Sequence, residues 1–316
     1  MRMVVQVLLL LLGFVLLLKG ADFLVEGSSN LARGLGIREI VIGLTVVAFG
    51  TSTPELVVNI FASAQNQSGL VLGNIIGSNI FNVLAILGVS VLIHPVAVEH
   101  NTAWREIPFA LAAAVILSIM MISSEIGRGD GVLLLLLFFA FLVYLWVIMR
   151  RSAVPAAERA PQSVTVLHST LSVLLGLVGL IAGGSIVVNA ATAIATAAGI
   201  SQKVIAVTIV ATGTSLPELL TSTVAAVKGK NDIAVGNIVG SNVFNILLVL
   251  GLSSLIRPIL VDPRRYAVDL TVLVVSGLFL FFTMFTGKRR VVDRWEGVLF
   301  LVCFAGYILF LLLSHG

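Results

Sequence analysis

Two glutamates, Glu55 and Glu218, each lie one residue after a proline inside a strongly apolar stretch of the sequence. The surrounding segments read GTSTPE at residues 50–55 and GTSLPE at residues 213–218. An ionisable side chain within a membrane-spanning helix costs about 2.5–3.5 kcal/mol on insertion scales, so it usually marks a functional site. Carboxylate and hydroxyl oxygens are the ligands that hard cations such as Ca2+ and Na+ prefer. The two segments therefore indicate cation binding.

A helix break is predicted at each of the two segments, because Pro54 and Pro217 interrupt the apolar pattern. Proline has no N–H to donate, and its ring crowds the carbonyl group four residues earlier, which here is that of Gly50 in the first segment. Thr51 and Glu55 are four residues apart and share one helix face. Each break is thus expected to gather one carboxylate, two hydroxyls and freed backbone carbonyls.

A second polar motif, GNIxGSNxFN, starts at position 73 and again at position 236. Within it Ser78 and Asn82 are four residues apart on one helix face, as are their counterparts Ser241 and Asn245. The motif also contains Gly-x-x-x-Gly, which allows close helix packing, and Asn and Ser often join helices in membranes. Packing alone would explain one copy. Two copies beside the two glutamate segments favour ligation, with the glycines packing the helix and the polar groups facing a common cavity.

The composition is that of a polytopic membrane protein. Hydrophobic residues make up 59% of the 316 residues and charged residues only 11%, whereas about a quarter of the residues are charged in soluble domains. The single cysteine, Cys303, excludes a disulfide within the chain and argues against a thiolate metal site. The net charge of +4 does not indicate nucleic-acid binding, because the Lys and Arg residues lie mostly in short loops, where they set membrane topology.

The sequence contains an internal repeat. A shift of 163 positions places residues 37–95 on residues 200–258 without a gap, and about 28 of the 59 pairs are identical. The second copy of the first apolar segment is internal, which favours a transmembrane helix over a cleaved signal peptide at the N-terminus. The domain organisation is therefore a first repeat at 1–150, a short linker at 151–164 and a second repeat at 165–316.

The apolar runs predict an all-α fold with ten transmembrane helices, five in each repeat, of which the second and seventh are broken. The runs are 3–32, 38–64, 70–93, 105–124, 131–149, 165–198, 202–227, 232–256, 266–286 and 296–314. An odd number of helices in each repeat inverts the second repeat relative to the first. Loops on one side hold twelve Lys and Arg residues and those on the other side six. This excess predicts that the first side, with the linker, is cytoplasmic and that both termini are outside.

The two pairs of motifs resemble the α-repeats of the cation/calcium antiporter superfamily, and most closely those of prokaryotic sodium/calcium exchangers. The repeats would span residues 43–82 and 206–245, and the resemblance covers the whole chain. It implies a ten-helix exchanger of the cell membrane in which the second, third, seventh and eighth helices surround the ions. The first and sixth helices would slide across that core.

The resemblance also assigns ligands residue by residue. Glu55 and Glu218 would be shared by Ca2+ and Na+, and Thr51 and Thr214 would bind Ca2+ through the backbone. Hydroxyl or carbonyl ligands for Na+ would come from Ser52, Ser215, Ser78, Ser241, Ala48 and Ala211. Asn82 matches the asparagine of the first repeat. Asn245 departs from the pattern, because many members carry an aspartate there.

Asn245 bears on the exchange ratio. With an amide at this position the site holds two formal negative charges, which one Ca2+ or two Na+ neutralise. A third Na+ would add an unbalanced charge in a medium of low dielectric constant. The sequence thus makes three Na+ per Ca2+ less secure, and an electroneutral ratio or partial replacement of Na+ by H+ becomes an alternative.

Other functions fit the sequence less well. Exchange of Ca2+ for H+ on the same carboxylates is the main alternative, and a cation channel would differ by flux without a counter-ion. An intramembrane hydrolase would need a nucleophile with a base or a His-Glu-x-x-His helix, and the sequence has neither. We therefore expect a transporter rather than an enzyme, without a cofactor, whose partners are Ca2+, Na+ or H+ and the lipid bilayer, and which functions as a monomer.

Overall fold

A computed structural model describes residues 2–151, 165–198, 211–286 and 290–315, and these residues are nearly all helical. The apolar runs form long helices because the backbone groups are then satisfied within each segment, as a bilayer requires. The helices are α1 (Arg2–Leu35), α2 (Glu39–Thr51), α3 (Thr53–Ala64), α4 (Ser68–Ile93), α5 (Thr102–Ser123), α6 (Arg128–Arg151), α7 (Val166–Ala197), α8 (Leu216–Val227), α9 (Asn231–Ile256), α10 (Pro263–Thr283) and α11 (Arg294–His315); a single turn, Ala211–Gly213, precedes α8.

Most of the predicted spans are present as membrane-length helices. Eight helices are long and apolar enough to cross a bilayer, and α2 and α3 together form a ninth span that bends by 48°. These counts refer to the described residues only. The predicted span at 202–227 begins outside them, and its described part is the turn Ala211–Gly213 followed by α8. The all-α membrane fold is therefore confirmed, while the count of ten stays a prediction.

The helix bounds recur at the spacing of the sequence repeat. α3 and α8 begin and end 163 residues apart, as do α4 and α9. Inside the latter pair, π-helical turns at Phe81–Ile86 and Phe244–Val249 have the same spacing. Such wide turns interrupt an α-helix at functional sites more often than elsewhere. Both begin at the Phe-Asn end of the second motif.

The repeat extends beyond the residues that align without a gap. Tyr144 donates a hydrogen bond of 2.5 Å to Glu106, which joins α6 to α5. Tyr307 donates a hydrogen bond of 2.5 Å to Asp269 and joins α11 to α10 in the same way. Both partners in the second pair lie 163 residues after those in the first. The fourth and fifth predicted spans of each repeat are therefore tied together by equivalent contacts.

Helices α4 and α9 form the centre of the molecule. In the most apolar 18-residue stretch of each helix, 78% of the residues are buried in α4 and 94% in α9, compared with 17% in α1 and 33% in α7. The long outer helices therefore lie against a core that contains both copies of the second motif. Because α4 and α9 are the most buried of these helices, their polar side chains are in a position to line a central site.

Four two-residue strands are the exception to the all-helical prediction. β1 (Val96–Ala97) pairs with β4 (Val291–Val292), and β2 (Glu125–Ile126) pairs with β3 (Ile259–Leu260), both antiparallel. β1 and β3 directly follow a proline that ends a helix and favours extended backbone before it. Because each pair joins one repeat to the other, the strands connect the two halves at their loops.

Helices α1 and α7 pack against each other through glycines. A Cβ atom at Gly183 would lie 2.8 Å from the backbone N of Leu17 and 2.9 Å from the carbonyl oxygen of Gly13. A Cβ atom at Gly20 would lie 2.7 Å from the backbone N of Leu180. The two backbones therefore approach as closely as only glycine permits, as is common for membrane helices.

Gly183→Ala is accordingly expected to destabilise the protein. Alanine should gain about 1 kcal/mol in helix propensity, but forcing α1 and α7 apart costs typically about 1–3 kcal/mol. The neighbouring Gly184→Ala is the matched control, because its Cβ atom would meet nothing nearer than 3.9 Å among the described residues. A lower thermal unfolding midpoint in detergent is expected for Gly183→Ala alone, and equal midpoints for the two variants would contradict the close packing.

An ion-pair cluster fixes α1 at one end of the bundle. Lys228, in the loop after α8, pairs with Asp22 and Glu26. Partial burial lowers the pKa of Lys228, but the hydrogen bonds and charges of the two carboxylates outweigh it and raise that pKa. Glu39 accepts a hydrogen bond of 3.3 Å from Lys230 and another from the hydroxyl of Ser29. The acidic side chains of α1 are thus paired at the rim rather than directed to the centre.

The second motif packs as expected where its neighbours are described. A Cβ atom at Gly236 would lie 2.9 Å from the Cα atom of Gly43, and one at Gly240 would lie 2.7 Å from the Cβ atom of Ala48. The equivalent neighbours of Gly73 and Gly77 would be residues 206–211, which lie almost wholly outside the described residues. The prediction that glycines bring these helices together is therefore confirmed for the second copy.

Candidate cation site

Each predicted break lies at a serine. Ser52 ends α2 with φ −83° and ψ 7°, and Ser215 precedes α8 with φ −90° and ψ 7°. The prolines then occupy the first turn of α3 and of α8, where a missing N–H breaks no helical hydrogen bond. Backbone N–H groups at the end of α2 contact the carbonyls of Ala48 and Gly50. The Gly50 carbonyl is therefore not free, and Pro54 produces a bend instead.

Glu55 and Glu218 lie in the first turns of α3 and α8 and are each only 1% exposed. The N-terminal end of a helix carries partial positive charge, which favours a carboxylate there. The two carboxyl groups are close enough to interact electrostatically. A buried pair of like groups repels when both are ionised, which makes the site receptive to cations.

The serines and glutamates are bonded crosswise between the repeats. Ser52 donates a hydrogen bond of 2.9 Å to Oε1 of Glu218. Ser215 donates one of 3.0 Å to Oε1 of Glu55, and its Oγ lies 3.3 Å from that of Ser78. Each break thus supplies the hydroxyl that orients the carboxylate of the other. The structure brings these five predicted residues into one buried centre.

The threonines follow the same crossed arrangement. Thr51 is close enough to the carboxyl group of Glu218 to interact with it, and Thr214 is likewise close to that of Glu55. Thr51 is fully buried, and its Oγ1 lies 2.9 Å from Oδ1 of Asn237. Both threonines are therefore next to the carboxylate of the opposite break.

The second motif supplies buried amide groups, two of which join the repeats. Asn82 donates a hydrogen bond of 3.0 Å from its amide nitrogen to Oδ1 of Asn242 in the other repeat. Its own Oδ1 is left without a partner among the described residues. Asn245 and Ser241 are buried, with 2% and 0% of their surface exposed. Of the alanines, Ala48 is buried, and its carbonyl accepts from the N–H of Ser52 at 3.0 Å, while Ala211 begins the single turn before the second break.

Five buried oxygens of the predicted residues have no hydrogen-bond partner in the described part of the chain. They are Oε2 of Glu55, Oε2 of Glu218, Oδ1 of Asn82, Oδ1 of Asn245 and Oγ of Ser241. A buried oxygen without a partner costs about 1–3 kcal/mol, and more when it is charged, so these oxygens need a compensating group. Carboxylate, amide and hydroxyl oxygens are suitable ligands for Ca2+ and Na+, and this donor set fits those ions as substrates.

Four buried asparagine and serine residues were not among the predicted ligands, but three of them contact a predicted ligand and the fourth, Ser222, contacts Asn237. Asn237 and Asn242 face Thr51 and Asn82, and Asn59 and Ser222 lie four residues after the two glutamates. Asn237 and Asn242 have counterparts at positions 74 and 79, so their recurrence was a usable signal. Asn59 and Ser222 occupy equivalent positions with different side chains, and no pattern in the sequence marked them.

The chain is similar to known proteins over almost its whole length. The model of the family described as sodium/calcium exchanger protein matches residues 5–147 and 168–313. The putative antiporter CaxA of Alkalimonas amylolytica is 38% identical over 314 residues, covering 96% of this chain and 98% of the relative. The sodium/calcium exchanger MaX1 of Methanosarcina acetivorans is 33% identical, with 97% and 98% covered.

The fold also matches solved structures. The sodium-calcium exchanger NCX_Mj, in a crystal soaked with Na+ and without Ca2+, superposes with a TM-score of 0.85 at 34% sequence identity. The match covers 97% of this chain and 98% of that one. The same polytopic helical architecture is therefore present in both proteins over almost their whole length.

Proposed function

The chain belongs to the sodium/calcium exchanger family, a family of cation antiporters, and we propose that it exchanges Ca2+ for Na+ by alternating access at the central site. The observation that supports the proposal best is the crossed pairing of Ser52 with Glu218 and of Ser215 with Glu55. In this pairing the buried carboxylate of each repeat lies beside the helix break of the other repeat. Ca2+ or Na+ bound there would neutralise both.

The proposed ligands are those that the sequence predicts. Glu55 and Glu218 contribute the charge, and the remaining oxygens come from Thr51, Thr214, Ser52, Ser215, Ser78, Ser241, Asn82, Asn245, Ala48 and Ala211. An all-oxygen set of this kind holds hard cations and disfavours softer metals. Because the ligands come from both repeats, movement of one part of the bundle against the core exposes the same site to either side of the membrane.

Exchange without leak follows from the charge of the empty site. When no ion is bound, two carboxylates stand in a medium of low dielectric constant, and a conformational change that carries them through it is unfavourable. A bound Ca2+ or two bound Na+ remove this penalty. We propose that only the loaded site changes its orientation readily, so that one ion leaves only when another enters.

The orientation and assembly also belong to the proposal. The protein would lie in the plasma membrane with both termini outside the cytoplasm. The loops on the side opposite the termini carry the excess of Lys and Arg residues, which marks that side as cytoplasmic. All of the proposed ligands come from one chain, which supports function as a monomer. In a Cys303→Ala background, an impermeant thiol reagent applied outside intact cells is expected to label Arg128→Cys but not Arg150→Cys, because these residues lie at opposite ends of α6; the reverse labelling would overturn the orientation.

Uptake of radiolabelled Ca2+ into proteoliposomes tests the counter-ion. Vesicles loaded with Na+ are expected to accumulate Ca2+, because outward movement of Na+ drives the exchange. K+-loaded vesicles and vesicles with a pH gradient alone are the controls, and they are expected to take up little. Uptake driven by the pH gradient alone would overturn Na+ coupling and assign the two buried carboxylates to proton exchange.

A further inference from the structure

The two halves of the central site are held by different side chains, although their backbones are equivalent. In the second repeat, the buried Asn237 accepts a hydrogen bond of 2.9 Å from the hydroxyl of Thr51. We propose that Asn237 is a positioning residue, which fixes the end of α2 at the ion site by joining Thr51 to the first turn of α8. The inference rests on the proposed function, because it concerns the ligands of that site.

The orientation of the Asn237 amide is determined by its other contacts. Its nitrogen donates to the carbonyl oxygen of Glu218 at 3.3 Å and to Oγ of Ser222 at 2.9 Å. A carbonyl oxygen can only accept, so the amide nitrogen must face Glu218 and the amide oxygen must face Thr51. One side chain thus links the last residue of α2 in the first repeat with the first turn of α8 in the second.

The contact also directs the hydroxyl proton of Thr51. This hydroxyl has one proton and lies within range of two acceptors, namely Asn237 at 2.9 Å and the carbonyl of Ala48 at 3.4 Å. The amide of Asn237 offers a short, neutral acceptor. With the proton held there, Thr51 keeps its place at the break.

The first repeat uses another arrangement. Asn59 stands where the second repeat has Ser222, and its amide nitrogen donates to the carbonyl of Glu55 at 2.7 Å and to Oδ1 of Asn74 at 2.6 Å. Asn74 is the counterpart of Asn237. Its amide oxygen therefore faces Asn59, and the contact with the Glu55 carbonyl comes from Asn59 itself. Asn74 is a matched control for Asn237 because it is the same residue type in the same motif with a different partner.

Ca2+ binding to the purified protein tests the proposal independently of transport. The Ca2+ dissociation constant is measured by calorimetry for the wild type and for Asn237→Ala, Thr51→Val and the double variant. We expect each single variant to weaken binding about tenfold, the effect of losing roughly one hydrogen bond. The double variant is expected to bind no more than about twofold more weakly than the weaker single variant, because Asn237 acts through Thr51. Asn74→Ala is expected to stay within about threefold of the wild type.

The thermal unfolding midpoint without Ca2+ separates positioning from general stability. Positioning predicts weaker Ca2+ binding by Asn237→Ala at a midpoint near that of Asn74→Ala. Wild-type affinity in Asn237→Ala, additive effects in the double variant, or an equal loss in Asn74→Ala would overturn the proposal. If Asn237→Ala does not fold, Ser222→Ala is measured in its place, because Ser222 accepts one of the two hydrogen bonds that the Asn237 amide nitrogen donates. Ser222→Ala is expected to weaken Ca2+ binding about threefold. An unchanged Ca2+ affinity in Ser222→Ala would overturn the proposal. Ca2+ binding without Na+-driven uptake would instead contradict the proposed function alone.

Discussion

Glu55→Gln and Glu218→Gln are each expected to abolish Na+-driven Ca2+ uptake while leaving the protein folded. Glutamine has nearly the same shape, and its amide oxygen can still accept the hydrogen bond that Ser215 or Ser52 donates to the glutamate. Packing should therefore survive. The site would keep only one negative charge for a divalent cation in a medium where charge interactions are strong. A loss of at least about a hundredfold in the uptake rate is expected, which corresponds to about 2.7 kcal/mol.

The matched control is Glu106→Gln. Glu106 is also a buried carboxyl group, 3% exposed, but it lies in α5 and bonds to Tyr144 rather than to the central site. We expect its uptake rate to stay within a few-fold of the wild type. Elution as a single species and unchanged helical circular dichroism establish folding for all three variants. Near-normal uptake by Glu55→Gln or by Glu218→Gln would remove that glutamate from the site.

The sequence was informative about the breaks because proline has few ways to fit into a helix. Pro54 and Pro217 predicted helix breaks, and the breaks lie at Ser52 and Ser215. The apolar runs likewise predicted the spans, because a bilayer leaves little alternative to helices. Where the physics permits one solution, the sequence pattern was sufficient.

The crossed pairing could not be predicted from the same pattern. A shared helix face shows that Thr51 and Glu55 are neighbours in their own helix, but it says nothing about which residue of the other repeat lies opposite. The bond from Ser52 to Glu218 depends on how the two breaks meet, and that is a property of packing between helices distant in sequence. The different roles of Asn59 and Ser222 depend on it as well.

Contacts outside the aligned repeat were missed for a related reason. Glu106 bonds to Tyr144 in the first repeat, and Asp269 bonds to Tyr307 in the second. In both pairs the two residues are 38 positions apart in the sequence. Because one acid is glutamate and the other aspartate, identity alone did not connect them. The two-residue strands are likewise too short for any alternation to show. Local patterns do not reveal such pairings, which arise from tertiary packing.

Asn245→Asp is expected to make Ca2+ uptake depend on membrane potential, whereas the wild type is expected to be nearly insensitive to it. Asn245 is 2% exposed, and its Oδ1 has no hydrogen-bond partner among the described residues. Under the proposed exchange, two glutamates would balance one Ca2+ or two Na+, and the wild-type cycle would then move no net charge. A third carboxylate would balance a third Na+, and each cycle would then move one charge.

Uptake at fixed internal Na+ is measured with the potential set by K+ gradients and valinomycin. One charge per cycle is worth about 2.3 kcal/mol per 100 mV, so the steady-state Ca2+ ratio of Asn245→Asp should change by roughly fiftyfold over that range. Asn245→Ala is the control, because it removes the amide without adding charge and should remain insensitive to potential. A wild type that already responds steeply would show that the carboxylates alone do not set the exchange ratio, since a third positive charge would then cross without a third carboxylate to balance it.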